Sequence, residues 1–264
     1  MMINIQQYSH VVSVKSEASY LGFSMSVFQY LVDGMLIDTG AQSVRSNLIP
    51  FYEEQRVELV SITHDHEDHT GTAAWLQKHR QIPIYIHEHS VDDCLQEAGY
   101  PEYRKLLWGV REPFAARPYQ KTIESRKETW EVIHTPGHEK NHVCLLNKHT
   151  GELFSGDLYV SAKPKIIMRD ESIPVLISSL RKILTYDFQD MYCAHSGYHP
   201  DGKDKFKRKL AVLEELTGTV KELFQLGMTV DEIDQQLFPK KPLLIQYSNS
   251  EFDSKHIIRS ILTE

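Results

Sequence analysis

The chain has 264 residues, 41% hydrophobic and 25% charged, which suits one folded domain whose single core needs no disulfide staples. Its formal charge of −7, from 29 basic and 36 acidic groups, gives no general pull toward a polyanion, so nucleic acid is not expected as a partner. Three scattered cysteines, an N-terminus without a basic start and apolar stretch, and no apolar run long enough for a bilayer argue against a secreted disulfide framework, a signal peptide and a membrane span, leaving a cytoplasmic protein as the expectation.

Residues 26–38 hold two apolar runs around Asp33-Gly34, which predicts a β-hairpin whose second strand ends at Asp38. "VELVSITH" (57–64) reads as a buried strand, "TGTAAWLQKH" (70–79) as a helix opened by Thr70, and "IPIYIHE" (82–88) as a further strand. That rhythm points to a layered α/β architecture. Residues 91–128 are irregular, with Pro101, Pro113 and Pro118 breaking any long helix and a short helix near 91–98. Strands resume at 130–135, 142–147 and 152–157, the last two joined by the turn "KHTG". An amphipathic helix over 172–184 precedes a strand at 190–195. Residues 203–227 are expected as two helices broken near Thr217–Gly218, followed by short helices at 229–238 and 254–264.

Four polar clusters fall at the C-terminal ends of these predicted strands: "THDHEDH" from Thr63, "HTPGHEKNH" from His134, "SGD" ending at Asp157, and "AHSG" around His195. Layered α/β folds build sites in the crevices beyond strand ends, and a solvated loop does not explain four such placements. Imidazole and carboxylate donors without thiolate suit zinc, iron or manganese at a catalytic site. His64 and His66, two apart in an extended segment, can direct both rings toward one ion; Asp68 and His69, opening a helix, can face a second. There is no G-x-S-x-G elbow and no phosphate-binding glycine loop.

"THDHEDHTG" followed in order by "TPGH", "SGD" and "HSG" resembles the metallo-β-lactamase-fold hydrolase superfamily over roughly residues 25–200. The resemblance implies an α/β fold, a four-layer αββα sandwich with short C-terminal helices: a catalytic domain over 1–200 and a helical extension over 201–264 packed on it. It implies two divalent ions, zinc first with iron or manganese as alternatives. His64, His66 and His138 would hold one ion, Asp68, His69 and His195 the other, and Asp157 would bridge them. The attacking group would be a metal-bound hydroxide, with Asp68 orienting it and passing a proton to the leaving group. Full ligand sets of this kind resemble the glyoxalase II and lactonase branches, so the expected partner is a small ester, lactone or thioester. A phosphodiesterase or nuclease of the same fold and a mononuclear-iron persulfide dioxygenase are the alternatives, and the oligomeric state stays open.

Other residues carry secondary expectations. Asp38 matches a non-ligand acid of the family and can orient a histidine. His87 and His89 read as surface residues, and His134 and His142 as packing or supporting groups. Tyr159 can place a phenol near the site or simply pack. Lys163, Lys165 and Arg169 read as a solvated charged loop. "LLWGV" with Tyr100, Tyr103 and Phe114 serves either a small pocket or the core.

Overall fold

Three antiparallel strands open the chain, β1 (Asn4–Tyr8), β2 (Val11–Tyr20) and β3 (Phe23–Val32), in a computed structural model that describes residues 3–263. Two-residue turns close β2 onto β3 and β3 onto β4 (Met35–Ile37). Leu21 and Gly22 have φ of 49° and 80°, Asp33 and Gly34 47° and 81°, the positive pair that a tight hairpin turn requires. The Asp33-Gly34 hairpin is the expected one. The longer β2–β3 hairpin lies outside the sequence expectation because buried Ser13 and Ser16 interrupt the apolar pattern of β2, Ser16 Oγ donating to the Val27 carbonyl.

β5 (Leu59–Ser61), β6 (Ile84–Ile86) and β7 (Arg117–Pro118) add in parallel to β4 and complete a seven-stranded sheet in chain order. Its connections carry α1 (Arg45–Glu54), α2 (Glu67–Thr70), α3 (Ala73–Arg80), α4 (Val91–Cys94) and α5 (Glu102–Trp108). The expected helix at 70–79 therefore splits: Thr70 ends α2, and α3 opens at Ala73. α1, with Pro50 inside it, and α5 were not expected. Pro101 stands immediately ahead of α5 and starts it, since the first helical turn needs no proline N–H and favours its fixed φ.

The second sheet is built from β8 (Thr122–Glu124), β9 (Thr129–His134), β10 (Val143–Asn147) and β11 (Glu152–Gly156). After β12 (Ile167–Met168) and α6 (Ile173–Ile183), β13 (Met191–Cys193) and β14 (Gly197–His199) finish it in the order β14-β13-β11-β10-β9-β8. α7 (Gly202–Gln225), α8 (Val230–Leu237), α9 (Leu244–Tyr247), β15 (Phe252–Asp253) and α10 (Ser254–Leu262) follow, β15 pairing with β12.

Between the sheets, Tyr30, Met35 and Ile37 meet Trp130, Leu145, Phe154 and Tyr192. On the far side of the first sheet, Leu36, Val60 and Ile84 pack under Leu48 and Phe51 of α1, Leu76 of α3 and Leu107 of α5. On the far side of the second, Cys144, Leu146 and Leu153 pack under Leu176 and Leu180 of α6, Phe206 and Leu213 of α7, and Ile257 of α10. The result is the expected four-layer αββα sandwich. α7, α8 and α10 share their core with α6 and the second sheet. β10 is buried on both faces, which is why it reads as a continuous apolar run.

α7 corrects the sequence expectation of a break. It runs unbroken through Gly218, because buried Leu213, Leu216 and Val220 continue one stripe across that point. A glycine costs about 1 kcal/mol in a helix interior, less than burying two such side chains returns. Gly218 faces solvent, and a Cβ there would meet nothing within 4 Å. Gly218→Ala should therefore raise stability by about 0.5–1 kcal/mol, read from the urea midpoint at unchanged slope; a lower midpoint would contradict a continuous helix.

Candidate metal centre

The chain leaves β5, β9, β11 and β13 toward one spot, at the seam where the two sheets meet. Two glycines make the approach possible. A Cβ on Gly71, just past α2, would lie 2.2 Å from the Gln42 backbone nitrogen, so only glycine lets the histidine-rich loop seat there. Gly156 has φ of 46°, and a Cβ on it would lie 2.5 Å from His142 Nε2, so only glycine turns the chain into Asp157.

All seven expected ligands come together. His64 Nε2 is 3.0 Å from His66 Nδ1, which is 3.2 Å from His138 Nε2. Asp68 Oδ2 is 3.5 Å from His69 Nε2 and 3.3 Å from His195 Nε2. Asp157 reaches both groups: its Oδ2 is 3.3 Å from His138 Nε2 and 3.1 Å from His195 Nε2, and its Oδ1 is 3.6 Å from His69 Nε2.

Outer contacts aim the rings. His69 Nδ1 lies 2.8 Å from Asp38 Oδ2, and Asp38 in turn accepts from the Thr63 backbone N–H at 2.8 Å and the Thr63 hydroxyl at 2.9 Å. His138 Nδ1 lies 2.9 Å from Glu171 Oε2, and Glu171 also accepts from Met168 N. His195 Nδ1 lies 2.8 Å from the Ser26 carbonyl. Carboxylates and carbonyls only accept, so Nδ1 carries the proton in all three rings and Nε2 is left to face the cluster. His142 acts differently. Its Nε2 accepts from the Asp157 backbone N–H at 3.0 Å, so its Nδ1–H faces Thr135 Oγ1 at 2.8 Å. It holds the backbone of Asp157 and is not part of the ligand cluster.

Burial, reinforced by neighbouring imidazoles, holds His64 and His66 well below the ordinary histidine range; burial likewise takes His142 down to about 3. For His69 and His195 burial opposes the charge, but Asp68 and Asp157, with Asp38 at His69, outweigh it and hold both rings well above that range. Burial also opposes charge on His138, and Glu171 outweighs it. Burial resists ionisation of Asp68 and Asp157, and His69 and His195 overcome it, leaving both carboxyls below the usual carboxylate range.

Two buried atoms of the cluster, His69 Nε2 and Asp157 Oδ1, have no hydrogen-bond partner among the described residues, and the first histidine group brings three ring nitrogens face to face. Cations among them would satisfy both conditions. Ligand atoms of His64, His66 and His138, of Asp68, His69 and His195, and of His64, His69 and Asp157 lie within 4.8 Å of one another in each group. These clusters can hold divalent metal ions.

Several expectations resolve by position. His87 lies in tilted contact with His89 and with His134, apart from the cluster. His199 bonds Ser196, and Tyr159 packs on Phe206 with its carbonyl accepting from Lys209 Nζ. Glu171 and the Ser26 carbonyl were not foreseen; each lies far along the chain from the histidine it holds, in a segment with no motif. Glu67 sits inside the motif but turns away, both its oxygens 2.6 Å from Arg104, which also reaches Glu251 at 3.0 Å. Above the cluster opens a cavity of about 370 Å³ with His66, Asp68, His138, Asp157 and His195 at its floor. Met25, Leu107, Trp108, Ile167 and Phe252 wall it, and Lys163 and Lys165 border it. Phe114 belongs to the core, and the Tyr100 hydroxyl donates to the Gly109 carbonyl.

The family model of the metallo-beta-lactamase superfamily matches residues 25–195. The chain belongs to this superfamily. Solved superfamily structures share its fold: a metallo-beta-lactamase family protein from Thermus thermophilus aligns with a TM-score of 0.71 at 17% identity, covering 97% of this chain and 94% of that one. A metallo-beta-lactamase from Pontibacter korlensis aligns with a TM-score of 0.65 at 17% identity, covering 81% and 99%. Among curated superfamily relatives, a probable metallo-hydrolase of Bacillus subtilis (strain 168) is 30% identical over 39% of this chain and 46% of its own length. A hydroxyacylglutathione hydrolase of Marinomonas sp. is 29% identical over 46% and 40%, and a thioesterase of Emericella nidulans 28% over 47% and 32%. The matched segments thus span less than half of these relatives.

Because carboxylates favour the protonated forms of His69 and His195, a divalent ion entering the cluster competes with protons there. Zinc binding should therefore release protons and tighten as pH rises from about 6 to 8, as read by calorimetry in buffers of different ionisation enthalpy. Glu171→Gln should weaken zinc affinity about 10–100-fold, measured by chelator competition, with an unchanged far-ultraviolet spectrum.

Proposed function

We propose that the chain is a dinuclear-metal hydrolase acting on a small acyl compound, an ester, lactone or thioester. The observation that carries the reading is the convergence of two ligand groups on one shared carboxylate, Asp157, at the floor of an apolar-walled cavity. His64, His66 and His138 would hold one ion, Asp68, His69 and His195 the other, with Asp157 between them. The nitrogen and carboxylate donor set favours zinc, with iron or manganese able to occupy it. When bound, two such ions supply a water acidified to near-neutral pKa and polarise the acyl carbonyl.

The chain's own residues do the rest. Five of the seven ligand residues line the cavity, so a substrate carbonyl can approach from one side only. Asp68 faces the cavity with its Oδ2 toward His69 and His195, so its other carboxylate oxygen can accept a hydrogen bond from the attacking water, orient it and relay a proton to the leaving group. Hydrolysis forms one bond from the water oxygen to the acyl carbon and breaks the bond to the leaving oxygen or sulfur, which departs with the relayed proton. Walls of Leu107, Trp108 and Ile167 suit an acyl group. Similarity to a hydroxyacylglutathione hydrolase and a thioesterase makes a thioester the first compound to try. Three buried free cysteines fit a reducing compartment such as the cytoplasm.

The test is a panel on the zinc-loaded protein: thioester, ester and lactone against a phosphodiester reporter and a structured RNA. The expected result is a higher kcat/KM on an acyl compound than on either phosphodiester, falling at least ~100-fold in Asp157→Ala and unchanged in His87→Ala. Faster phosphodiester cleavage would replace this reading with a nuclease; one iron per chain and no hydrolysis would replace it with an oxidoreductase.

A further inference from the structure

A second cavity of about 240 Å³ adjoins the one above the metal centre. Tyr103, Leu107 and Leu244 border both, so the two spaces share one row of side chains. The remaining lining comes from the tip of the β2–β3 hairpin (Tyr20, Leu21 and Phe23), from Leu106 on α5 and from Tyr247 on α9. None of these eight side chains is charged, in contrast to the first cavity with its histidines, aspartates and lysines. Leu21, Leu106 and Tyr247 are 67%, 46% and 45% exposed, a cluster of large apolar groups left facing solvent without an internal partner.

The α5 part of this shared row is fixed in place. Arg104, in the same turn of α5 as Tyr103 and Leu107, is only 12% exposed and holds Glu67 of the metal loop with two 2.6 Å bonds and Glu251 of the C-terminal segment with a third. A pinned α5 makes the side of the second space that it lines pre-formed, so a ligand entering there meets little ordering cost.

We propose that the two cavities form one channel, and that the substrate carries an extended apolar acyl chain running from the metal centre past Leu107 and Leu244 into the second cavity. This deepens the acyl-hydrolase reading and rests on it. Continuity with the metal cavity selects the occupant: a carbonyl on the cavity floor, with its leaving group toward Lys163 and Lys165, turns its acyl substituent toward the shared row. An acetyl group would leave the second cavity empty. A longer chain would cover the apolar residues exposed there, each added methylene gaining about fourfold in kcat/KM until the space is full.

The experiment uses the zinc-loaded full chain and a series of N-acetylcysteamine thioesters from acetyl through butanoyl, hexanoyl and octanoyl to decanoyl. The expected kcat/KM rises at least ~100-fold across the series. Leu106→Trp, which fills the second cavity, and Tyr247→Glu, which charges it, alter half-exposed positions away from the metals. Both should abolish the rise beyond butanoyl while keeping acetyl turnover within about twofold. A flat profile in the natural chain, or a rise that survives both variants, overturns the proposal, as does a dimer that both variants dissociate without changing chain-length preference. Calorimetry with decanoate separates the two readings. If no thioester turns over but decanoate binds at least about tenfold tighter to the natural chain than to both variants, the hydrolase reading fails and the channel stands. If decanoate binds all three alike, the channel falls.

Discussion

Two buried carboxylates, Asp68 and Asp157, stand among five imidazoles where little water can solvate them. Removing such charges from water costs several kcal/mol each unless cations or protons compensate. The surrounding structure answers that cost in a consistent direction. Three histidines have one nitrogen tied off by Asp38, Glu171 or the Ser26 carbonyl, which leaves the other to face the carboxylates. Without metal the same rings must carry protons to balance the charge, and this makes protonation and metal occupancy two answers to one electrostatic demand.

Holding that arrangement requires both sheets to agree in position. The Val143 N–H donates to the Thr63 carbonyl, the Phe28 N–H to the Ala194 carbonyl, and the Tyr30 hydroxyl to the Cys193 carbonyl. These bonds cross from one sheet to the other beside the cluster, at the points where the loops depart. Beneath them lies the inter-sheet core of Tyr30, Trp130, Phe154 and Tyr192. A close-packed interior of this kind has few voids into which its side chains could shift, so loop residues from distant parts of the chain keep their separations.

The candidate ligands and the cavity above them come from different parts of the molecule. Strand ends and their loops supply the His/Asp cluster, whereas α5, α9, the β2–β3 hairpin tip and the β12–β15 pair shape the space above it. Arg104 joins the two by bonding Glu67, which stands between His66 and Asp68. A change in α5 can therefore reach the histidine-rich loop without touching a residue of the cluster.

The sequence by itself marked the residues that cluster at the candidate site. H-x-H-x-D-H after an apolar run, with later Pro-Gly-His and Ser-Gly-Asp turns, concentrates costly polar groups at strand ends, a local signal that survives without any knowledge of packing. It also marked Asp38 as an orienting acid and set His142 aside as a supporting group. Tertiary structure decided what local pattern cannot encode. Buried serines hid β2, Pro101 looked like a break yet starts α5, and Gly218 looked like a break yet is carried through by the buried stripe on either side. Glu171 and Arg104 bear no motif at all, because their importance comes from partners 33 and 37 residues away in the chain. Ligand identity is written in residue type and short spacing; ring orientation and pocket shape depend on contacts between remote segments, which only the folded packing brings together.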